Sequence, residues 1–245
     1  MSFDNLEKAG KEIKKLAKKH TRDRSKKQFD EELFEGHFFQ YIKEKEINSD
    51  ALYDIACYLM AGENFSKDLA FFIIRASKIN KNKILHFLNR HLSILNEEQT
   101  NIALSLIEEH KLIKLYYPII RHLKLNSFYD SESLRKRIIY MGILFNKKEG
   151  YDAFHNILER ELLITDSKWK KTELYTGNIL FLFVVNKNYE SIKYIFQRYS
   201  NQKTKKFLKN QLFIAANRWD QSLTLRLILR KIIIAAYLKN FFYLK

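Results

Sequence analysis

Two windows near the C-terminus carry one pattern twice, and this repetition limits the fold more than any other feature of the chain. Leu180–Phe196 reads LFLFVVNKNYESIKYIF and Leu212–Leu229 reads LFIAANRWDQSLTLRLIL, with starts 32 residues apart. Each holds a tight apolar run with small residues, a few polar positions, and a second run at helical spacing. A short helix, a turn and a second helix repeated at that interval describe a stacked array. Such an array presents a surface for holding a partner more readily than it encloses a reaction centre.

Turn chemistry agrees with helix. The 245 residues include six glycines and one proline, too few punctuating residues for an all-β chain of many hairpins. Helical periodicity places segments at 30–46, 50–61, 66–78, 81–94, 97–110, 112–124, 131–146, 150–163, 167–186, 189–199, 203–217 and 221–242. Candidate N-caps are Ser49/Asp50, Ser66, Asn96, Asp130/Ser131 and Asp166/Ser167. Pro118 lacks the backbone donor of a helix interior and should kink or restart its helix. Loops of about two to six residues force neighbouring helices antiparallel. The expected architecture is all-α: a right-handed stack of antiparallel helical hairpins, an α-solenoid of about twelve helices. It would occupy residues 29–245 as one domain behind a basic N-terminal helix or arm over 1–28. The pattern continues upstream through Arg137–Leu163, with Gly150 at its polar turn, and Ala51–Ser77, with Gly62 at its turn.

The net charge of +16 sits at the ends. Residues 1–28 hold ten Lys/Arg against four Asp/Glu, and residues 201–245 hold ten against Asp220 alone; the rest balances to +1. In the first segment Leu6, Ala9, Ile13 and Leu16 share one narrow face, and lysines fill the others. Its basic residues Lys14, Lys15, Lys18, Lys19, Arg22 and Arg24 are candidates for contact with a polyanion, and Thr21–Lys27 reads as a polar linker. The ordinary alternative is lysine serving as a solubilising surface residue.

At the other end Trp219 falls where a hairpin turn is expected, beside Arg218 and ahead of Arg226 and Arg230. Turns normally take small polar residues, so Trp219 is a candidate aromatic anchor in a basic partner-binding site with Lys205, Lys206, Lys209, Arg218, Arg226 and Arg230. The alternative is that it packs between adjacent hairpins. The final stretch, LRLILRKIIIAAYLKNFFYLK, is apolar on nearly all faces after Lys231. It would fold back into the array, dock on a second copy to form a homodimer, or meet a partner or a membrane surface.

Over about residues 178–230 the two windows resemble degenerate ankyrin repeats. Leu180, Leu182, Glu190, Ile192 and Ile195 fall in the register of that family, as do Leu212, Ile214, Ala215 and Ala216 of the second window. The Thr-Pro-Leu-His start is absent from both, and Lys187 and Trp219 stand where the turn glycine would be. The HEAT and tetratricopeptide classes remain open for the rest of the chain. The resemblance implies a scaffold that binds a partner along a concave face.

No catalytic motif emerges. None of the seven histidines pairs at the i, i+4 spacing of a helical metal site, and His86 and His91, five apart, point about 140° away from each other on a helix. No glycine-rich phosphate loop or Gly-x-Ser-x-Gly elbow occurs. The carboxylate pairs Glu31/Glu32, Glu97/Glu98 and Glu108/Glu109 read as helix starts or solvated faces. Cys57, alone in an apolar run, reads as a buried structural thiol. With no signal-like or membrane-spanning segment in the sequence, the expectation is a cytoplasmic protein without cofactor or metal. Its expected role is a non-enzymatic helical-repeat scaffold for protein–protein interaction. The alternative is a nucleic-acid-binding helical array of the HEAT-like DNA-binding or repair type.

Overall fold

A computed structural model describes residues 3–23, 28–29, 31–128, 131–164, 172–219 and 227–234. These are helical apart from short connections and one two-stranded antiparallel ladder. The chain divides into two compact units, Met1–Asn126 and Ser127–Lys245.

In the first unit, α1 (Phe3–Lys19) buries Ala9, Ile13 and Ala17, at 5%, 0% and 0% exposure. It packs mainly on α3 (Ser49–Leu59), and also touches α2 (Glu31–Glu44). The small residues of α1 set how close the two helices come: a Cβ added at Gly10 would stand 3.0 Å from the Tyr58 ring. Tyr41 of α2 ties the contact by donating a hydrogen bond to Glu12, at 2.8 Å. The basic N-terminal helix is therefore a packed element, with its lysines left outward. The polar linker expected at Thr21–Lys27 is corrected in part, because Thr21–Asp23 pairs as a strand with Gln28–Phe29; residues 24–27 lie outside the described set.

A hairpin of α3 and α4 (Asn64–Ala76) forms the core of this unit, with Phe72 wedged against Phe34 and Phe38 of α2 at ring separations of 5.0 and 5.2 Å. Next come α5 (Lys81–His91), α6 (Glu97–Glu109) and α7 (Tyr116–Leu125). Pro118 acts as expected. A 3-10 turn over Ile113–Leu115 ends at Leu115, and the helix restarts with Pro118 in its first turn, where a missing N–H removes no intrahelical bond.

The second unit contains α8 (Glu132–Leu144), α9 (Lys148–Leu162), α10 (Tyr175–Val185), α11 (Tyr189–Arg198) and α12 (Gln202–Trp219). Residues 227–234 are also helical. Helices α8 and α9 form one hairpin and α10 and α11 another, while α10 packs on both α8 and α12. Its apolar residues explain that central position: Ile179, Leu180 and Phe183 are fully buried.

Several expected caps are corrected. Asn48, one residue earlier than expected, caps α3 by accepting from the Ala51 N–H at 2.9 Å, and α4 begins before Ser66, which lies buried inside the helix. Asn96 does cap α6, in a reciprocal capping box with Gln99. The helix expected from 167 begins at Tyr175, with residues 172–174 non-helical; Asp166, Ser167 and Asp130 fall outside the described residues. Trp219 is the last residue of α12 and not part of a turn.

Helices α2, α6, α8 and α10 end alike. Glu46, Lys111, Asn146 and Lys187 take the left-handed conformation, with φ of 50°, 49°, 53° and 55°. The next residue's N–H then reaches back five positions, as from Lys147 to the Gly142 carbonyl at 2.7 Å and from Asn188 to that of Phe183 at 2.8 Å. This is the Schellman closure, which satisfies orphan carbonyls and turns the chain sharply. Here it is made without glycine.

Candidate partner-binding groove

The helix-end closures aim the two hairpins of the second unit so that a groove of about 410 Å³ opens between them. Its floor is the end of α8, Ile143 and Leu144; its walls are Tyr151 on α9 and Glu190, Lys193, Tyr194 and Gln197 on α11. A hydrogen bond of 2.7 Å from the Asn188 amide to the Tyr140 hydroxyl joins the second turn to α8 behind it. Tyr140 also packs on Phe183, ring centres 4.6 Å apart.

Tyr151 is buried and Tyr194 is 46% exposed, with ring centres 5.6 Å apart and planes tilted by 58°. The Arg198 guanidinium sits 4.7 Å over the Tyr151 ring, a cation–π arrangement. One turn further along α9, His155 stacks on Tyr199 at 5.9 Å. Burial pushes the Tyr151 and Tyr199 phenols up, Tyr199 to about 12, so these two stay neutral near pH 7. The Gln197 Nε2 is buried and has no hydrogen-bond acceptor. The groove thus combines paired aromatic surface, an ion pair at its rim between Lys193 and Glu190 (3.6 Å) and an unused amide donor. Sequence reading marked Glu190 only as part of a repeat register and passed over Tyr151, Tyr194 and Arg198. Tyr151 and Tyr194 come from segments 43 residues apart, and no local pattern joins them.

Leu174 is the N-cap of helix α10 and offers no capping side chain of its own. Two distant residues cap it instead. Glu161 of α9 accepts from the Tyr175 and Thr176 N–H groups at 2.7 and 3.1 Å, and Gln211 of α12 accepts from the Leu174 N–H at 2.8 Å. Gln211 also donates to the Thr172 carbonyl at 3.1 Å. These bonds fix the position of α10 between its neighbours.

Of the basic residues marked near the C-terminus, Lys205, Lys206 and Lys209 come together on α12, with Lys206 and Lys209 exposed and Lys205 half-buried. Arg230 is exposed in the helical segment 227–234. Arg226 and the side chains of Arg218 and Trp219 lie outside the described residues. That segment buries Leu229 and Ile233 and exposes Leu227 and Ile234, at 46% and 56%. At the N-terminus Lys15, Lys18 and Lys19 are exposed and Lys14 pairs with Glu63 at 3.0 Å; Arg24 and the side chain of Arg22 lie outside the described residues.

The histidine and cysteine chemistry is local. His86 bonds the Tyr53 hydroxyl at 2.7 Å, and His91 lies against Phe87 at 5.1 Å. Burial pushes the Cys57 thiol up, which keeps it protonated and poorly nucleophilic. Among the described residues no group of three His, Cys, Asp or Glu side chains is placed to hold a metal ion, and no helix is long and apolar enough to cross a membrane.

Comparison of the chain with known protein families, characterised proteins and solved structures yields no match.

Proposed function

We propose that this protein is a non-enzymatic scaffold of helical-hairpin repeats that holds a segment of another protein in the groove between the α8–α9 and α10–α11 hairpins. The observation that carries this reading is the exposed Tyr194 ring set against buried Tyr151, which is itself covered by Arg198. Tyrosine and arginine in a partly desolvated pocket are the residues that dominate protein–protein binding energy. Rings held by neighbours lose little freedom when a partner docks, which favours affinity.

The repeat part of the reading draws support from the shared helix-end closure at Glu46, Lys111, Asn146 and Lys187. Their spacings of 65, 35 and 41 residues fit an irregular helical array better than an even ankyrin period. The free thiol of Cys57 suits a reducing, cytoplasmic setting. The test is capture: immobilised full-length protein should retain a specific protein, and Tyr194→Ala should release it. Identical retention by both baits would refute the groove as the binding surface.

A further inference from the structure

Helix α12 runs for 18 residues, QKTKKFLKNQLFIAANRW, without a single acid. Lys203, Lys206 and Lys209 follow one another along its solvent face, and all three are exposed. Among the described residues, no carboxylate lies within ion-pair distance of any of them. The opposite face is closed, with Phe207, Leu208, Leu212, Ala215 and Ala216 at 0–1% exposure against the rest of the second unit.

Helix stability does not account for these lysines. Lys203 lies in the first turn, where positive charge opposes the helix dipole, and no acid three or four residues away on α12 pairs with any of the three. The lysines of α1 contrast with them: Lys18 and Lys19 lie in the last turn, where the dipole favours them, Lys11 pairs with Glu7, and Lys14 with Glu63.

We infer that the exposed lysine face of α12 binds the phosphate backbone of a nucleic acid without reading its sequence. From Lys203 to Lys209 the helix advances about 9 Å, over which a duplex presents roughly five phosphate charges. A lipid surface fits less well, because a membrane-bound amphipathic helix needs an apolar face to insert and on α12 Phe207, Leu208 and Leu212 are already buried in the protein, with Phe213 and Ile214 half-buried. This surface is separate from the aromatic groove, so either assignment stands or falls without the other.

The experiment is fluorescence anisotropy of the full-length protein with a labelled 20-bp duplex between 50 and 200 mM salt. Three phosphate contacts give a slope of about −2.7 in log K against log salt, or roughly 40-fold weaker binding across that range. Lys203→Gln/Lys206→Gln/Lys209→Gln should flatten the slope by about 2.7 units, while the corresponding triple arginine variant should keep it. The arginine variant should unfold at the parent's midpoint and the glutamine variant no lower, since the changed side chains are exposed and Lys203 opposes the helix dipole. No binding by the parent at 50 mM salt, or an unchanged slope in the glutamine variant, would overturn the assignment. So would sedimentation with anionic phosphatidylserine vesicles in the absence of duplex binding.

Discussion

Gly150 of α9 lies directly on the backbone of Gly142 of α8, so close that a Cβ added at Gly150 would stand 2.5 Å from the Gly142 Cα. The two helices meet there without side chains between them, and Tyr151, the next residue, is thereby set into the groove wall. Gly150→Ala should push the helices apart and cost about 1–3 kcal/mol. Gly36→Ala is the control: it sits within α2 with nothing inside 4 Å of the added atom, and should be neutral or stabilising by up to about 1 kcal/mol. Urea unfolding of the two variants beside the parent checks both signs.

Ile13 is completely buried where α1 packs on α3. Ile13→Ala should destabilise the first unit by about 2–4 kcal/mol, within the range for large-to-small core changes. A basic arm free of the fold would show no change in the denaturation midpoint.

Gln211 and Glu161 replace the missing N-cap of α10 from two other helices. Gln211→Leu removes the bonds to the half-buried Leu174 N–H and to the carbonyl of exposed Thr172, and should cost about 0.5–1.5 kcal/mol. Glu161→Ala should cost a similar amount by freeing the Tyr175 and Thr176 donors. Thermal melts of the two single variants and the double variant read these losses and their coupling.

His122 is buried at 5% exposure, with Nε2 3.0 Å from the Thr100 hydroxyl and Nδ1 3.1 Å from the Asn126 amide. The single Thr100 hydroxyl proton goes to the Asn96 carbonyl at 2.6 Å, so Nε2–H must donate to Thr100, and Nδ1 must accept from Asn126. That arrangement requires the neutral ring, and burial lowers the folded pKa below the ordinary value of 6.5. The contribution of His122 to stability is therefore complete above pH 6.5 and is lost as pH falls from there through the folded value, as the unfolded chain takes the proton first. His122→Gln should reduce the slope of stability against pH in this window by up to about 1.4 kcal/mol per pH unit. The remaining slope includes His91, whose pKa burial also lowers. Denaturant titrations between pH 5 and 7.5 measure the difference.

Much of the fold was legible because amphipathic helices announce themselves by apolar spacing. Eleven of the expected segments correspond to described helices within a few residues, apart from the late start of α10 at Tyr175 and the 3-10 turn that delays α7 to Tyr116. The turns were misread for a physical reason. Gly150 reads as the turn residue of Arg137–Leu163, yet the left-handed position there is Asn146, while Gly150 lies inside α9 and serves a close helix contact. Nothing local distinguishes those two uses of glycine. The N-cap of α10 was equally hidden, because Glu161 and Gln211 lie far from it in sequence. The groove depends on tertiary placement in the same way: Tyr151 and Tyr194 look like ordinary helical aromatics until two hairpins bring them to 5.6 Å.

The Tyr151–Tyr194 groove is proposed to hold a protein partner. The most direct measurement is quantitative mass spectrometry of proteins retained from lysate by the full-length chain, its Tyr194→Ala variant and its triple lysine-to-glutamine variant on α12. A protein should be retained by the parent and by the lysine variant but depleted about 30-fold or more on the Tyr194→Ala bait, the loss expected for an anchor worth about 2 kcal/mol. Equal retention of every captured protein by the parent and Tyr194→Ala would contradict it.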